Sequence, residues 1–343
     1  MKPFEWMNAR SESEAAKASR ATVAAAMVAR TDDQALPDAI VVKAGGIDVL
    51  DLMKEGLLHP RRLVNLRGVA GLTGFAPEKS GGLRIGALTT IAQIAGHSLI
   101  RQSYAALGDA CAQLASPQIR NVATLGGNLL QRPQCWYFRS ASHHCARKGG
   151  EHCFAFGGEN HCHAIFDQRG CAIVHPSTAA TALVALDAKV ELRNAEGKTR
   201  MLALEEFFVL PDRDIHSEND LKSGEILAAV LLPKPVPRAR SVHLKQGEKD
   251  SFDWPIADVA VLLERDEAGI CRKASIVLGA ASPVPHRAAA AEAALRDKDV
   301  REETAREAAR AALSGAAPLS KNAYKLPIFE TLVRRAILAA AAG

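Results

Sequence analysis

Apolar positions change period several times along the chain, and each change predicts an element. Ile40-Val-Val-Lys-Ala44 is a short apolar run closed by Gly45-Gly46, after which Val49, Leu50, Met53 and Leu57 recur at helical spacing: a strand, a glycine turn and a helix. Leu83 to Thr90 predicts a second strand ending in two hydroxyls, and Ile91, Ile94 and Leu99 predict the helix that follows it. A second glycine pair, Gly126-Gly127, lies in the run from Ser116 to Asn128. Further on, 188–193 and 199–204 flank Glu196-Gly197 as a hairpin, and the proline-rich run from Pro233 to Arg238 marks a boundary. Beyond it, 241–245, 256–263 and 274–278 read as strands, the last two joined through Glu267-Ala-Gly269. Alanine-rich helices follow at 288–295 and 302–313, with Asp299 as the expected cap of the second, and a last helix after Pro327 carries Ile328, Leu332 and Ala336 on one stripe.

Composition narrows the function classes. The 343 residues exceed one ordinary domain, and 48% hydrophobic with 24% charged residues is globular. A net charge of +5 is spread along the chain without basic clusters interleaved with aromatics, which are only 5% of residues, so nucleic acid is not an expected partner. The N-terminus lacks the apolar core of a secretory signal, and the apolar tail from Ala336 to Gly343 is too short to span a membrane. Seven cysteines are too few and too locally grouped for a disulfide scaffold.

The chemistry concentrates in two places. A paired glycine after a strand lets backbone N–H groups and a helix dipole hold an anion, and Asn121, Thr124 and Asn128 add oriented polar groups around the second pair. Taken singly, either loop reads more readily as a tight turn or a polar cap, and two such loops in one chain bring the two readings level. Directly downstream, Cys135, Cys145, Cys153 and Cys171 have the spacing C-x9-C-x7-C-x17-C, with Cys162 inside the last gap. Thiolates serve both iron–sulfur clusters and zinc, but structural zinc uses C-x2–4-C knuckles, and none occurs here. His143, His144, His152, His161, His163 and His175 keep zinc open as an alternative. Gly149, Gly150, Gly157 and Gly158 predict irregular backbone, and Arg139, Arg147 and Lys148 are placed to offset the charge of a four-thiolate cluster. Cys111 and Cys271 read as buried thiols.

The segments Lys43 to Lys54, Arg84-Ile-Gly-Ala87, Ile119 to Asn128, and His175-Pro-Ser177 with Ala182 to Ala188 resemble the FAD-binding subunit of molybdenum hydroxylases, the xanthine dehydrogenase and aldehyde oxidase family. The resemblance runs in order along nearly the whole chain and includes Gly224 to Leu227 and Tyr324 to Leu326. It implies an α+β fold: a two-subdomain FAD-binding unit of the PCMH type, followed by a C-terminal antiparallel sheet with helices of the CO dehydrogenase flavoprotein type. The implied boundaries are 1–66, 67–234 with an iron–sulfur loop at 131–172, and 235–343. Carried over by motif, Val41, Val42, Lys43, Ala44, Gly45, Gly46, Ile47, Asp48 and Val49 wrap the FAD pyrophosphate, and Thr89, Asn121, Thr124, Gly127 and Asn128 complete the site. Lys245 matches a lysine near the flavin, and Thr178 stands where the family has an aspartate. Ile47 and Asp48 replace a usual threonine and asparagine, which sets a carboxylate near the expected pyrophosphate unless its side chain turns away. Cys135, Cys145, Cys153 and Cys171 match the ligands of a [4Fe–4S] cluster in a subgroup similar to three-subunit bacterial aldehyde oxidases, and Cys162 has no counterpart there.

The resulting expectation is an electron-transfer subunit carrying FAD and a [4Fe–4S] cluster. Its expected partners are a molybdenum-cofactor subunit and a [2Fe–2S] subunit, with no catalytic side chain of its own. It is expected in the cytoplasm, or in the periplasm by co-export with a partner bearing a twin-arginine signal. The competing expectations are a stand-alone flavin oxidoreductase of the same fold and a zinc-stapled binding protein.

Overall fold

The computed structural model describes residues 1–28, 39–249 and 251–342; Gly343, the end of the apolar tail, lies outside them. Three sheets organise the described residues. The first is parallel, in the order β1-β3-β2, built from β1 (Glu5–Asn8), β2 (Ile40–Lys43) and β3 (Arg62–Asn65). The second is antiparallel, β4-β5-β8-β6-β7, from β4 (Phe75–Pro77), β5 (Leu83–Gly86), β6 (Lys189–Asn194), β7 (Thr199–Ala203) and β8 (Glu225–Leu232). The third, also antiparallel, is β12-β11-β10-β9, from β9 (Arg240–Gln246), β10 (Ala257–Arg265), β11 (Cys271–Gly279) and β12 (His286–Arg287). This is the expected α+β architecture, ending in an antiparallel sheet with helices.

The predicted 188–204 hairpin is β6–β7, and the three strands expected after the proline-rich boundary are β9, β10 and β11. Other expectations shift. The helix predicted through Ile91, Ile94 and Leu99 breaks at His97 into Ile91–Gly96 and Ser98–Ser103, leaving Leu99 exposed. The helix after β2 spans Ile47–Lys54 and buries Leu52 and Met53, while Leu57 follows its end. Asp299 does not cap the Glu302–Ala311 helix; it pairs with Ile270, and Arg301 is the capping position, bracketed by Thr304. The last helix, Lys325–Ala342, begins two residues before Pro327, which the first turn tolerates because its N–H would have no partner there.

Among the described residues, four apolar cores hold the layers together. The largest packs β5, β6 and β8 against the helices Ile91–Gly96, Ala105–Gln113 and Thr178–Ala185. A second joins β10 and β11 to the three C-terminal helices and also takes in Ile165 and Phe166. A third lies between the parallel sheet and β8. The fourth gathers Val41, Leu52, Met53 and Leu63 with Phe138 and Cys145. The cysteine segment is therefore anchored at both ends in different cores. Burying Phe138 alone contributes about 1.5–3 kcal/mol relative to leaving it in water. Among the described residues no helix is long and apolar enough to cross a membrane.

Candidate functional site

A cavity of about 450 Å³ opens where the two glycine loops meet. The first loop leaves β2, turns at Gly46 with φ of 90°, and enters the Ile47–Lys54 helix, whose first backbone N–H groups have no intrahelical partner. The second runs from Ser116, which caps the Pro117–Arg120 turn, to Thr124, which caps the short Leu125–Leu129 helix by accepting from Gly127 N. This second loop is pinned to the end of β5, because Leu125 N donates to Thr89 O and Gly126 N to Ala87 O. The loops touch: a Cβ built on Gly45 would stand 2.3 Å from Val122 O, so glycine is required for that approach. At Gly127 an added Cβ would meet Thr124 Oγ1 at 3.0 Å and little else, since that face looks into the cavity.

Strand alternation sorts the expected cofactor residues. Val42 and Ala44 face the cavity with Gly45, Gly46, Ile47, Asp48 and Val49, and Thr124, Gly127 and Asn128 line it from the second loop. Val41 points into the core, and Lys43 lies buried against Trp6 and Asn65, its pKa lowered by burial and then by Arg67. Thr89 is buried, with its hydroxyl bonded to both backbone groups of Gly74, and Asn121 is exposed at the C-terminal end of the Pro117–Arg120 turn. Thr178 is buried in the first turn of its helix. Lys245 donates to Asp253 O at 2.6 Å and Gln113 O at 3.3 Å, fixing the segment that brings Trp254 to the cavity wall. Its pKa is lowered by burial, against the pull of Asp258 and Asp253.

Two features of this wall have no signal in the residue pattern. Ser177 Oγ donates to Asn128 Oδ1 at 2.6 Å, which makes the Asn128 amide nitrogen the group free to donate toward the cavity. Arg132 and Glu218 also line it, the latter drawn from a polar run that reads as solvated loop. Asp48 belongs to the wall, but its carboxylate turns away from the loop: its Oδ2 accepts from Arg132 N at 2.9 Å, and its Oδ1 pairs with Arg139 at 2.5 Å. Arg139 also meets Glu55 at 3.4 Å, so its charge serves the glycine-loop helix rather than the cysteines.

Beyond Arg132 the chain forms the irregular cysteine segment. Cys135, Cys145, Cys153 and Cys171 lie near enough to act on one another: Cys171 on each of the other three, and Cys145 on Cys135. Backbone N–H groups are directed at every one of these sulfurs: Tyr137 and Phe138 at Cys135, Arg147 and Lys148 at Cys145, Ala155 and Ala172 at Cys153, Ile173 at Cys171. Burial pushes the Cys135 thiol up to about 11 and raises Cys145. The hydrogen bond between Cys153 and Cys171 raises the Cys153 thiol and, aided by Arg147, lowers Cys171. Cys162 stands apart, exposed, with Lys325 and Glu248 as its charged neighbours.

The other two expected charges act on the cysteines. Arg147 Nε donates to Cys171 Sγ at 3.4 Å, and Lys148, whose Nζ donates to the carbonyls of Ser140 and Tyr137, also favours the thiolate at Cys145 through its charge. Of the histidines, His163 reaches a cysteine, with Nε2 3.3 Å from Cys135 Sγ, and His175 is buried and held neutral, its pKa lowered by burial to about 3. Among the described residues no three His, Cys, Asp or Glu side chains are arranged to hold a single metal ion.

Residues 2–235 match the family described as the FAD binding domain in molybdopterin dehydrogenase, and residues 242–340 match the CO dehydrogenase flavoprotein C-terminal domain. The aldehyde oxidoreductase FAD-binding subunit PaoB of Escherichia coli (strain K12) is 35% identical over 82% of this chain and 86% of that protein. The xanthine dehydrogenase FAD-binding subunit of Escherichia coli O157:H7 is 26% identical over 88% of each. A chain of the Cu,Mo-CO dehydrogenase structure superimposes with a TM-score of 0.73 over 100% of this chain and 99% of its own, at 22% identity, which shows the shared fold. The chain belongs to the FAD-binding subunits of the xanthine dehydrogenase and CO dehydrogenase family of molybdenum hydroxylases, and is an oxidoreductase flavoprotein subunit.

Proposed function

We propose that the chain is the flavin and iron–sulfur subunit of a heterotrimeric molybdenum hydroxylase that oxidises an aldehyde or an N-heterocycle. A molybdenum-cofactor subunit takes the substrate, a [2Fe–2S] subunit hands on electrons, and this chain delivers them to an acceptor. The observation that carries the reading is structural continuity: a cavity walled by both glycine loops is tied through Arg132, Glu218 and Arg147 to Cys171, which acts on the other three thiols. The similarity to an aldehyde oxidoreductase subunit favours an aldehyde as the first substrate class to try. In this reading the chain divides at 66 and 234, with the cluster loop at 131–172. It works beside its partners, in the cytoplasm or, carried by a partner with a twin-arginine signal, in the periplasm.

The residues fit FAD. The glycine turn presents backbone N–H groups at the start of the Ile47–Lys54 helix, where an anionic pyrophosphate is favoured, and the face of Gly127 leaves room that a side chain would fill. Thr124 and Asn128 orient the second loop, Ser177 fixes the Asn128 amide, and Lys245 holds the Trp254 segment against the cavity. FAD supplies the redox chemistry itself, and the protein supplies binding and electrostatics.

They also fit a [4Fe–4S] cluster on Cys135, Cys145, Cys153 and Cys171. Hydrogen bonds to every sulfur, a buried guanidinium on Cys171, and buried nitrogens of Arg132 and Arg147 without partners suit a negatively charged centre. Such a cluster supplies one-electron redox chemistry or a structural staple. Binding it requires Cys135, Cys145 and Cys153 to lose protons that burial or hydrogen bonding now retains.

Co-expression with the two partner subunits tests the reading. Aldehyde added anaerobically to the complex should bleach the flavin absorbance, and the isolated chain should show no such reduction. Robust aldehyde turnover by the purified single chain would overturn the subunit reading in favour of a stand-alone flavin oxidoreductase.

A further inference from the structure

Between the cavity and the cysteines lies a buried charge that the protein itself leaves unbalanced. Arg132 and Arg147 are 2% and 1% exposed, and both pair with Glu218, itself 2% exposed. Arg147 Nη1 stands 2.6 Å from one Glu218 oxygen and Arg132 Nη1 3.2 Å from the other, so two guanidinium groups share one carboxylate. Asp48, the other carboxylate acting on Arg132, is already taken up by Arg139. Three buried nitrogens, Arg132 Nε and Nη2 and Arg147 Nη2, have no hydrogen-bond partner among the described residues. Guanidinium groups do not lose their protons to escape such a site, so the excess positive charge persists. A fold retains such a group where a negative charge comes to meet it.

The two ends of this triad face the two expected cofactors. Arg147 Nε donates to Cys171 Sγ, and Arg132 and Glu218 form part of the cavity wall. The Arg132 guanidinium also lies 5.0 Å from the centre of the Phe138 ring, and the Phe138 backbone N–H is directed at Cys135. We propose that Arg132 is an electrostatic link between the flavin cavity and the cysteine centre: its charge, held in place by Glu218, raises the reduction potential of both groups. Reduction adds one electron to such a cluster and two to the flavin, and a buried positive charge beside both sites stabilises the reduced form of each in a medium that screens poorly. The link rests on the iron–sulfur reading above.

Anaerobic redox titration of the full chain with dithionite, followed by flavin absorbance and by the paramagnetic signal of the reduced cluster, tests it. Arg132→Gln removes the charge and relieves the imbalance, so the fold is retained. The reduced-to-oxidised ratio at fixed potential should fall about tenfold for each group, equivalent to ~30 mV for a two-electron flavin and ~60 mV for a one-electron cluster. Arg132→Lys keeps the charge without the fork and should hold both potentials near the starting values, which a purely structural role would not predict. Glu218→Gln, which removes the opposing charge, should move both potentials upward. A shift at only one group, equal shifts in the Gln and Lys variants, or no shift would overturn the link. Iron and sulfide are measured first. Their absence from the unmodified chain overturns the iron–sulfur reading and the link together, whereas full content with unmoved potentials overturns the link alone.

Discussion

The glycine-loop cavity and the cysteine segment lie side by side but are built by opposite means. The cavity is made by regular elements: β2, the end of β5 and two helix starts bring backbone groups within contact distance, and glycine at 45 exists because a carbonyl occupies the place of its Cβ. The cysteine segment has scarcely any regular structure, one short turn at Ala146–Lys148, and is held by side chains. Phe138 anchors one end in the core under the glycine-loop helix. At the other end Ile165 and Phe166 enter the C-terminal core, and Lys325 and Asn322 donate to the carbonyl of His163. A site that grips its ligand with backbone needs sheets and helices to aim it, whereas a site that grips with thiols needs only anchored ends.

That contrast sets the order of expected effects. The largest is all-or-none: Cys171→Ser should lose or destabilise the iron centre, from the about four irons per chain of such a cluster, because a serine oxygen is a harder ligand than thiolate. Cys162→Ser should retain it, and bound flavin should survive in both variants because the cavity has its own supports. Metal analysis with acid-labile sulfide and released flavin reads all three, and the reverse behaviour of the two variants would make Cys162 the ligand. Next, Gly45→Val should reduce flavin content at least tenfold, since a side chain there must displace the Val122 carbonyl. It should leave iron content unchanged if the two regions are independently built. Gly127→Ala, which crowds only Thr124 and the cavity, should weaken FAD less than Gly45→Val in a fluorescence titration.

Smaller effects probe the joints. Asp48→Asn removes the charge that holds Arg139 and should cost about 1.5–3 kcal/mol of stability, read from denaturant midpoints, because the bond is charge-assisted and largely buried. A change in flavin affinity without a change in stability would show that Asp48 faces the cofactor after all. The smallest is Ser177→Ala, which frees the Asn128 amide to rotate. A loss of about 1 kcal/mol in FAD binding, several-fold in Kd, is expected, with the apo-protein melting temperature little changed.

Regular elements were the most legible in the sequence, because a period of two or of 3.6 is written in the apolar positions themselves; β6 and β7 with their Glu196-Gly197 turn are an example. The break at His97 was not, since Ile91, Ile94 and Leu99 keep a plausible helical spacing across two separate helices. Within the cavity, the glycine pairs announced the loops, but the split between Val42 and its neighbours Val41 and Lys43 depends on which face of β2 meets the core. Asp48 read as a liability near an anion because its partners, Arg132 and Arg139, lie more than eighty positions away and only the fold brings them together. Ser177, Arg132 and Glu218 carried no local pattern for the same reason. The cysteine set stands out in the sequence by its grouping and matches the ligands the resemblance implies; Cys162, inside the same run, lies beside Lys325 and Glu248 instead, a placement its position in the sequence does not show.

The most direct test is the ultraviolet–visible spectrum of the anaerobically purified chain. The account predicts flavin bands superimposed on a broad brown shoulder that dithionite bleaches. Flavin bands alone, or stoichiometric zinc with no visible chromophore beyond flavin, would contradict the claim that one chain carries both redox groups.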